Sequence, residues 1–200
     1  MSVPFHELIW QRFAQPALSV MTTPQAWCSV LTYSPAVVRV DGVYRMWYVG
    51  NSLHSRDAAC DLGYAESEDG LHWERDPAPV VSAGGALRSV IYPWVLRHDG
   101  AYTMWYGAHV ADDYFEIFCS TSDDGVSWTH HHAHSVFPAT RRRQDFDGRF
   151  TSIPCVLQED DRLLLYYSAR DLDCLYGSQG RVGYDIMGVY RHIGVAVTER

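Results

Sequence analysis

The stretch Tyr33–Gly50, "YSPAVVRVDGVYRMWYVG", decides the fold because the chain repeats it. Ile91–Ala108, "IYPWVLRHDGAYTMWYGA", keeps the proline, the Asp-Gly pair and the aromatic second half. Ser152–Ala169, "SIPCVLQEDDRLLLYYSA", is a weaker third copy. Repeats of this length are typical of stacked supersecondary units, so we expect one structural unit per copy.

Each copy predicts a hairpin followed by two more strands. The apolar run after the proline and the alternating aromatic run predict two strands, joined by a turn at Asp41-Gly42, Asp99-Gly100 or Asp160-Asp161. Asp-Gly between apolar runs is a strong hairpin signal, since glycine adopts positive φ at little cost. Further along, "LGYAES", "IFCSTS" and "IGVAVT" predict third strands. In two copies a second Asp-Gly turn then leads to a fourth strand carrying Trp73 or Trp128.

Four antiparallel strands per repeat predict an all-β protein built from β-propeller blades, about three of them in this chain. We expect residues 27–84 and 85–140 to form two blades and residues 141–200 an incomplete one. Residues 1–26 contain "LIWQRFAQPAL", which resembles "LHWERDPAPVV" at 71–81 and predicts the outer strand of a preceding or closing blade. Open blade edges favour pairing with another chain, so we expect a tendency to form homo-oligomers.

Composition excludes several classes of function. The net charge is −8 and the only basic run is Arg141–Arg143, so nucleic-acid binding is not expected. We find no run of apolar residues that predicts a membrane span and no secretory signal. The five cysteines form no C-x-x-C pair, which favours reduced thiols in a cytoplasmic protein. Aromatic residues make up 14% of the chain, which suits both strands and sugar stacking.

The topology of a blade predicts which side of the disc carries function. The turns between strands 1 and 2 and between strands 3 and 4 are short and share one side. Long, varied segments lie on the other side, where functional residues concentrate. These segments are Asn51–Asp61, His109–Glu116, His130–Phe150 and Arg170–His192.

The combination "SPAVVRVDGVYRMWYVG…LGYAESEDGLHWER" resembles the five-bladed propeller glycosidases, the superfamily of invertase, levansucrase, arabinanase and β-xylosidase, with the related mannoside phosphorylases. The resemblance covers nearly the whole chain and implies a ligand at the axial face. It also implies two carboxyl groups flanking the glycosidic bond. In many members these groups directly precede the strand proline. This sequence departs there, with Ser34, Tyr92 and Ile153 before its three prolines.

We therefore expect a carbohydrate-active, glycoside hydrolase-like or phosphorylase-like protein that takes a small carbohydrate ligand. Asp147 is the candidate catalytic carboxylate, although the sequence alone favours an Asp-Gly turn (Asp147-Gly148) that only shapes the connection. The alternative is a non-hydrolytic sugar- or metabolite-binding propeller, or an enzyme of other chemistry on the same scaffold. The candidate substrate-binding residues are the aromatic Tyr33, Tyr92 and Trp94 and the polar Ser34, Arg88 and Arg149.

Other patterns have simpler explanations. The run His130–His134, "HHHAH", could place imidazoles on one face of a strand, but a surface histidine strand is the favoured interpretation and no metal site is predicted.

Asp57 and the pair Asp112-Asp113 are secondary carboxylate candidates, more typical of solvated loops. Arg141–Arg143 could hold phosphate or carboxylate or could simply offset nearby acids. No nucleotide-binding pattern is present and no cofactor is expected.

Overall fold

The computed structural model describes residues 9–22, 25–52, 59–110, 114–131, 134–159, 161–172 and 192–198. Within this part of the chain the predicted all-β class is confirmed, with 3-10 turns only at Val20–Thr22 and Ala26–Cys28. The strands are β1 Leu31–Val40, β2 Val43–Asn51, β3 Asp61–Ser67, β4 Glu74–Arg75, β5 Ser89–His98, β6 Ala101–His109, β7 Phe115–Ser122, β8 Thr129–His130, β9 Phe150–Gln158, β10 Leu163–Arg170 and β11 His192–Val197. No described helix is long and apolar enough to cross a membrane.

The strands group into three antiparallel units, as the repeats predict. The first blade is the sheet β1-β2-β3-β4. The second is β5-β6-β7 with β8 on β7, and the third is β9-β10-β11. A single parallel bridge between Phe115 and Phe150 joins the second and third blades. This is a partial β-propeller in which the first strands β1, β5 and β9 are the inner strands.

Each inner strand is longer than the sequence predicts and contains a bulge at its proline. The register shifts between Tyr33 and Ala36 in β1, and corresponding shifts occur in β5 and β9. Proline has no backbone N–H to donate to a neighbouring strand. A bulge at the proline removes it from the regular pairing, so the sheet does not lose a hydrogen bond there. The residues before the three prolines take up the left-handed conformation, with φ of 51°, 56° and 53°: Ser34, Tyr92 and Ile153.

The first two blades are joined through an Asp-Gly turn. Trp47 of β2 is fully buried and its indole N–H donates to the carbonyl of Gly125 at 2.8 Å. Gly125 has a φ of 83°, and a side chain there would lie 3.1 Å from the Trp47 ring. Asp124 holds the turn, because its carboxylate accepts hydrogen bonds from the backbone N–H groups of Val126 and Ser127. The turn between β7 and β8 is therefore a structural part of the contact between the first two blades.

The outer strands are shorter than predicted. Trp73 and Trp128 precede β4 and β8, because their indole N–H groups donate back to the carbonyls of Gly70 and Gly125 in the turns. Only two residues then pair with the third strand of each of these blades.

The described residues 9–22 contain no strand, and the outer strand expected within residues 1–26 stays a prediction. Trp10, the expected counterpart of Trp73, is 91% exposed. The third strands β3 and β7 pair with β4 and β8, whereas β11 has no outer strand beside it among the described residues. Leu18 and Trp27 instead pack over Tyr48 on the outer face of the first blade. The division of the chain at residues 26, 84 and 140 stays a prediction.

Candidate functional site

The inner strands begin, and the second strands end, on the side of the disc with the long segments; we call this side the loop end. The same backbone hydrogen bond recurs there in each blade, from the residue before the inner strand to the last residue of the second strand. These bonds are Val30 N to Asn51 O at 3.0 Å, Arg88 N to His109 O at 2.7 Å and Arg149 N to Arg170 O at 2.9 Å. The repeat thus places Arg88 and Arg149 at equivalent positions of neighbouring blades.

Two predicted aromatic residues come together at this end. The Tyr33 and Tyr92 rings, on neighbouring inner strands, meet edge to face with centroids 6.3 Å apart. Tyr33 is 37% exposed, and its hydroxyl oxygen lies 3.9 Å from Cys60 Sγ. Burial, followed by the neighbouring thiol, raises the pKa of Tyr33 well above its usual range. The phenol therefore stays neutral and can both donate and accept a hydrogen bond.

The residues before the prolines carry no acid. Ser34 is half-buried in its bulge, Tyr92 belongs to the aromatic pair, and Ile153 is 45% exposed. A left-handed conformation is costly for a β-branched residue such as isoleucine, and it persists only where the surrounding structure imposes it. A hydroxyl, a phenol and an alkyl group can bind a ligand at these positions, but none of them is a carboxylic acid.

Trp94 is held by the next blade. Its indole N–H donates to the carbonyl of Val156 in β9 at 2.9 Å, and its side chain is half-buried. The structure therefore gives Trp94 a role in joining the second and third blades. Its use as a stacking platform for a ligand stays a prediction.

Asp147 lies in a buried hydrogen bond. It is 7% exposed, and its Oδ2 accepts the Tyr167 hydroxyl proton at 2.9 Å. Burial and then Asp147 raise the pKa of Tyr167 well above the ordinary tyrosine value. In the first blade Tyr48 occupies the place of Tyr167 and Cys28 that of Asp147, and the Cys28 thiol likewise raises the Tyr48 pKa, after burial. Asp147 thus serves as the acceptor for an inter-blade tyrosine, and its catalytic role stays a prediction.

Arg149 lies beside a second arginine over one aromatic ring. The guanidinium carbons of Arg141 and Arg149 are 4.6 and 5.7 Å from the centroid of the Tyr114 ring. Arg141 also contacts the carboxylate of Glu116 at 3.0 Å, and Glu116 accepts the Ser135 hydroxyl proton at 2.7 Å. Glu116 is buried, so this pair anchors the connection that leads into the third blade.

Sequence reasoning placed Tyr114 and Arg170 in the long segments at this end but did not name either as a candidate site residue. Arg170 lies over the Phe150 ring at 4.8 Å. The signal for Arg170 was its position, because it ends the second strand of its repeat as Asn51 and His109 end theirs. Tyr114 lies in a segment of varied sequence, for which the repeat offers no comparison.

The other candidates lie elsewhere or outside the described residues. The described residues do not include three of the candidate carboxylates, Asp57, Asp112 and Asp113. His130 lies on the outer strand of the second blade with Nδ1 3.1 Å from Ser120 Oγ, and Ser120 in turn contacts the buried Tyr106 hydroxyl at 3.3 Å. Among the residues described, no group of three or more histidine, cysteine or acidic side chains is arranged to hold a metal ion.

Comparison with known sequences finds relatives but no family. No family model matches the chain. An uncharacterized protein of Mycobacterium tuberculosis, Rv1502, is 29% identical over 157 residues, which is 76% of this chain and 48% of that protein. The chain therefore spans about half the length of the curated relatives that it matches.

Comparison with solved structures finds propeller glycoside hydrolases, which confirms the predicted resemblance at the level of fold. A complex of BT0996 with RGII has a TM-score of 0.72 at 19% identity, over 96% of this protein and 53% of that one. A family 117 glycoside hydrolase of Zobellia galactanivorans has a TM-score of 0.65 at 21% identity, over 84% and 52%. The family 32 β-fructofuranosidase of Bombyx mori has a TM-score of 0.64 at 14% identity, over 84% and 34%.

Proposed function

We propose that the chain is part of a carbohydrate-active, glycosidase-like protein that binds a glycoside at the loop end of its inner strands. The observation that carries this proposal is the contact between the exposed Tyr33 and the half-buried Tyr92 at the loop end of two adjacent inner strands, in a fold shared with glycoside hydrolases. Aromatic rings present flat apolar surfaces to sugar rings, while their hydroxyl groups fix orientation.

The polar residues around this pair suit a sugar. Ser34 lies on the bulge next to Tyr33, and Arg88 and Arg149, the proposed guanidinium donors, directly precede the inner strands of the other two blades. Sugar hydroxyls need directional partners of this kind, because a polar group that loses water without a partner weakens binding. Asp147 is the proposed carboxylate for cleavage of a glycosidic bond.

A matched pair of tyrosine variants tests the binding site. Tyr33 is 37% exposed at the loop end, and Tyr166 is 39% exposed on the second strand of the third blade. We expect Tyr33→Ala to weaken binding of glycosides from an oligosaccharide panel by about tenfold, on the scale of a lost aromatic contact, and Tyr166→Ala to leave it unchanged. Equal loss in both variants, or in neither, would contradict the assignment.

Turnover separates an enzyme from a binding protein. Aryl glycosides and oligosaccharides are tested for hydrolysis and phosphorolysis with the unmodified chain and with Asp147→Asn. Turnover that collapses in Asp147→Asn supports a catalytic carboxylate at this position. Turnover that is equal in both removes Asp147 from the catalytic role. Binding without turnover would favour the non-hydrolytic alternative, for which the lack of acids before the prolines is the physical explanation.

We further propose that the chain self-associates through its third blade and that it is cytoplasmic. Among the described residues β11 lies at the edge of its sheet, and Ile193, Val195 and Val197 on it are 83%, 56% and 49% exposed. Such an edge can pair with another chain. The described cysteines are free thiols, which supports a reducing compartment. Light scattering tests the first proposal, and a constant monomer mass over a hundredfold range of concentration would contradict it.

A further inference from the structure

We infer that residues 9–13 of one copy of this chain add to the edge of β11 in a second copy and form the outer strand of its third blade. This inference rests on the self-association proposed above and names the segment that carries it. An added strand gains affinity from backbone hydrogen bonds and specificity from the side chains that face the sheet. The partner is thus a second copy, recognised through the sequence "IWQRF".

The third blade has an open edge among the described residues. In the first blade β4 pairs with β3, and in the second blade β8 pairs with β7. In the described part of the third blade, β11 pairs with β10 on one side and with no strand on the other. Such an edge presents a row of backbone N–H and C=O groups to which another strand can add.

The segment that we assign to this edge is exposed in the single copy. Residues 9–17 are exposed throughout and form no strand. Ile9 and Trp10 are 90% and 91% exposed, and Phe13 is 55% exposed. A cluster of exposed apolar side chains is typical of a surface that another chain covers.

The segment is anchored at the first blade, away from β11 of its own copy. Leu18 packs on the outer face of that blade, and the Ser19 carbonyl accepts the Arg75 guanidinium at 3.0 Å. The first blade contacts the second through Trp47, and the second contacts the third through Trp94. The second blade therefore separates the segment from its own β11, whereas a second copy can bring its β11 to the segment.

The third strands of the first and third blades match position by position. In each of them a glycine lies opposite the buried tyrosine of the second strand, which aligns Gly194 with Gly63. Two positions further on, the pair Ala65-Glu66 aligns with the pair Ala196-Val197. Ala65 and Glu66 are the residues that pair with the outer strand in the first blade.

This match gives the register of the added strand. In the first blade Glu74 lies opposite Glu66. The sequence "LIWQR" aligns with "LHWER", which ends at Arg75, so Gln11 takes the place of Glu74. In the added strand Gln11 therefore lies opposite Val197 of the second copy.

Trp105 indicates what the third blade gains from an outer strand. Its counterpart Trp47 is fully buried, and Trp128, which precedes the outer strand of the next blade, meets it edge to face at 6.0 Å. Trp105 is only half-buried and packs toward the third blade. Trp10 aligns with Trp128 of "VSWTH", so the added strand brings Trp10 toward Trp105. Tryptophan is among the residues that contribute most to binding when an interface buries them.

A disulfide between two preparations tests the register. One copy carries Gln11→Cys and the other Val197→Cys, so a bond between positions 11 and 197 can form only between copies when they are mixed and oxidised. Opposite residues of an antiparallel sheet have Cα atoms about 4.5–5.5 Å apart, which a disulfide can span. Gln15→Cys mixed with Val197→Cys is the matched control, because position 15 lies about 14 Å further along the strand. Mass spectrometry of linked peptides separates these bonds from any that the native cysteines form in the unmodified chain.

Trp10→Ser tests the apolar contact. Trp10 is 91% exposed in the single copy, so its replacement should leave the fold intact, which thermal unfolding checks. Met21→Ser is the control, since Met21 is 89% exposed and lies outside the segment. We expect Trp10→Ser to weaken self-association by about tenfold or more in light scattering on dilution, and Met21→Ser to leave it unchanged.

We expect the bond between positions 11 and 197 to form at least about tenfold faster than the bond between 15 and 197. Equal rates would overturn the inferred register and the inference with it. A bond within one copy, formed in the double variant Gln11→Cys/Val197→Cys at high dilution, would overturn the second copy as the partner.

Two results distinguish this inference from the self-association on which it rests. Self-association that is unchanged in Trp10→Ser, without a bond between positions 11 and 197, would overturn the inference and leave association through another surface standing. A monomer mass at every concentration would refute both. Each copy carries one segment and one edge, so reciprocal exchange closes as a dimer and one-way exchange continues into longer assemblies.

Discussion

The hydrogen bond between Tyr167 and Asp147 gives a prediction that tests the structural role of Asp147 separately from its proposed catalytic role. Tyr167 is 5% exposed, Asp147 is 7% exposed, and the two are joined at 2.9 Å. Tyr167→Phe removes the donor and leaves a carboxylate oxygen buried. Hydrogen bonds to charged groups contribute about 1.5–3 kcal/mol, so we expect the free energy of unfolding to fall by about 2 kcal/mol. The ring itself should stay in place, because it packs against Phe137 with centroids 4.7 Å apart.

Urea unfolding at pH 7 measures this loss as a shift in midpoint at constant slope. Tyr166→Phe is the control, since Tyr166 is the adjacent residue and is exposed; its effect should stay within about 0.5 kcal/mol. Asp147→Asn keeps an acceptor oxygen and should cost less than Tyr167→Phe. Combining the two substitutions should cost less than their sum, because both act on the same bond. Additive losses, or a Tyr167→Phe cost as small as the control, would refute this role for Asp147.

Three further predictions concern the blades. Trp94→Phe should lower the free energy of unfolding by about 1 kcal/mol, because the carbonyl of Val156 loses its indole donor; unchanged urea unfolding would contradict this. Backbone N–H groups lower the pKa of Asp124 from 3.8 to about 2, so its stabilising effect is complete above pH 4 and is lost as the pH falls through about 2. The stability gap between the unmodified chain and Asp124→Asn should therefore close on acidification, and a constant gap in pH-dependent urea titrations would exclude it. Burial raises the pKa of the Cys119 thiol to about 11, so a thiol reagent at pH 8 should label it slowly in the native chain and rapidly in urea; equal rates would count against the burial.

The repeated stretch was sufficient to predict the blades, because the strand pattern and the Asp-Gly turns recur together. It could not predict the bulges, since the conformation before each proline depends on pairing with the second strand. The start of the chain shows a similar limit. "LIWQRFAQPAL" resembles an outer strand in sequence, but residues 9–22 contain no strand, because strand formation depends on contact with a partner edge and not on sequence alone.

The candidate site was predictable in outline only. Topology placed Tyr33, Arg88 and Arg149 at the loop end, because their positions relative to the inner strand are fixed by the repeat. The hydrogen-bond partners of the candidate side chains could not be predicted from the sequence. Trp94 and Asp147 carry groups that suit a ligand, but Trp94 is bonded to Val156 in the next blade, and Asp147 is bonded to Tyr167 on the second strand of its own unit.

Hydrogen exchange with bound glycoside tests the central claim most directly, because it shows which end of the blades the ligand covers. The most tightly bound oligosaccharide of the panel is added at saturation, and amide exchange is followed by mass spectrometry. We predict slower exchange at the loop end, in the segments 30–33, 88–92 and 149–151, with no change at the hairpin turns Asp41-Gly42 and Asp99-Gly100. Protection at the hairpin turns instead, or an unchanged loop end, would contradict a carbohydrate site there.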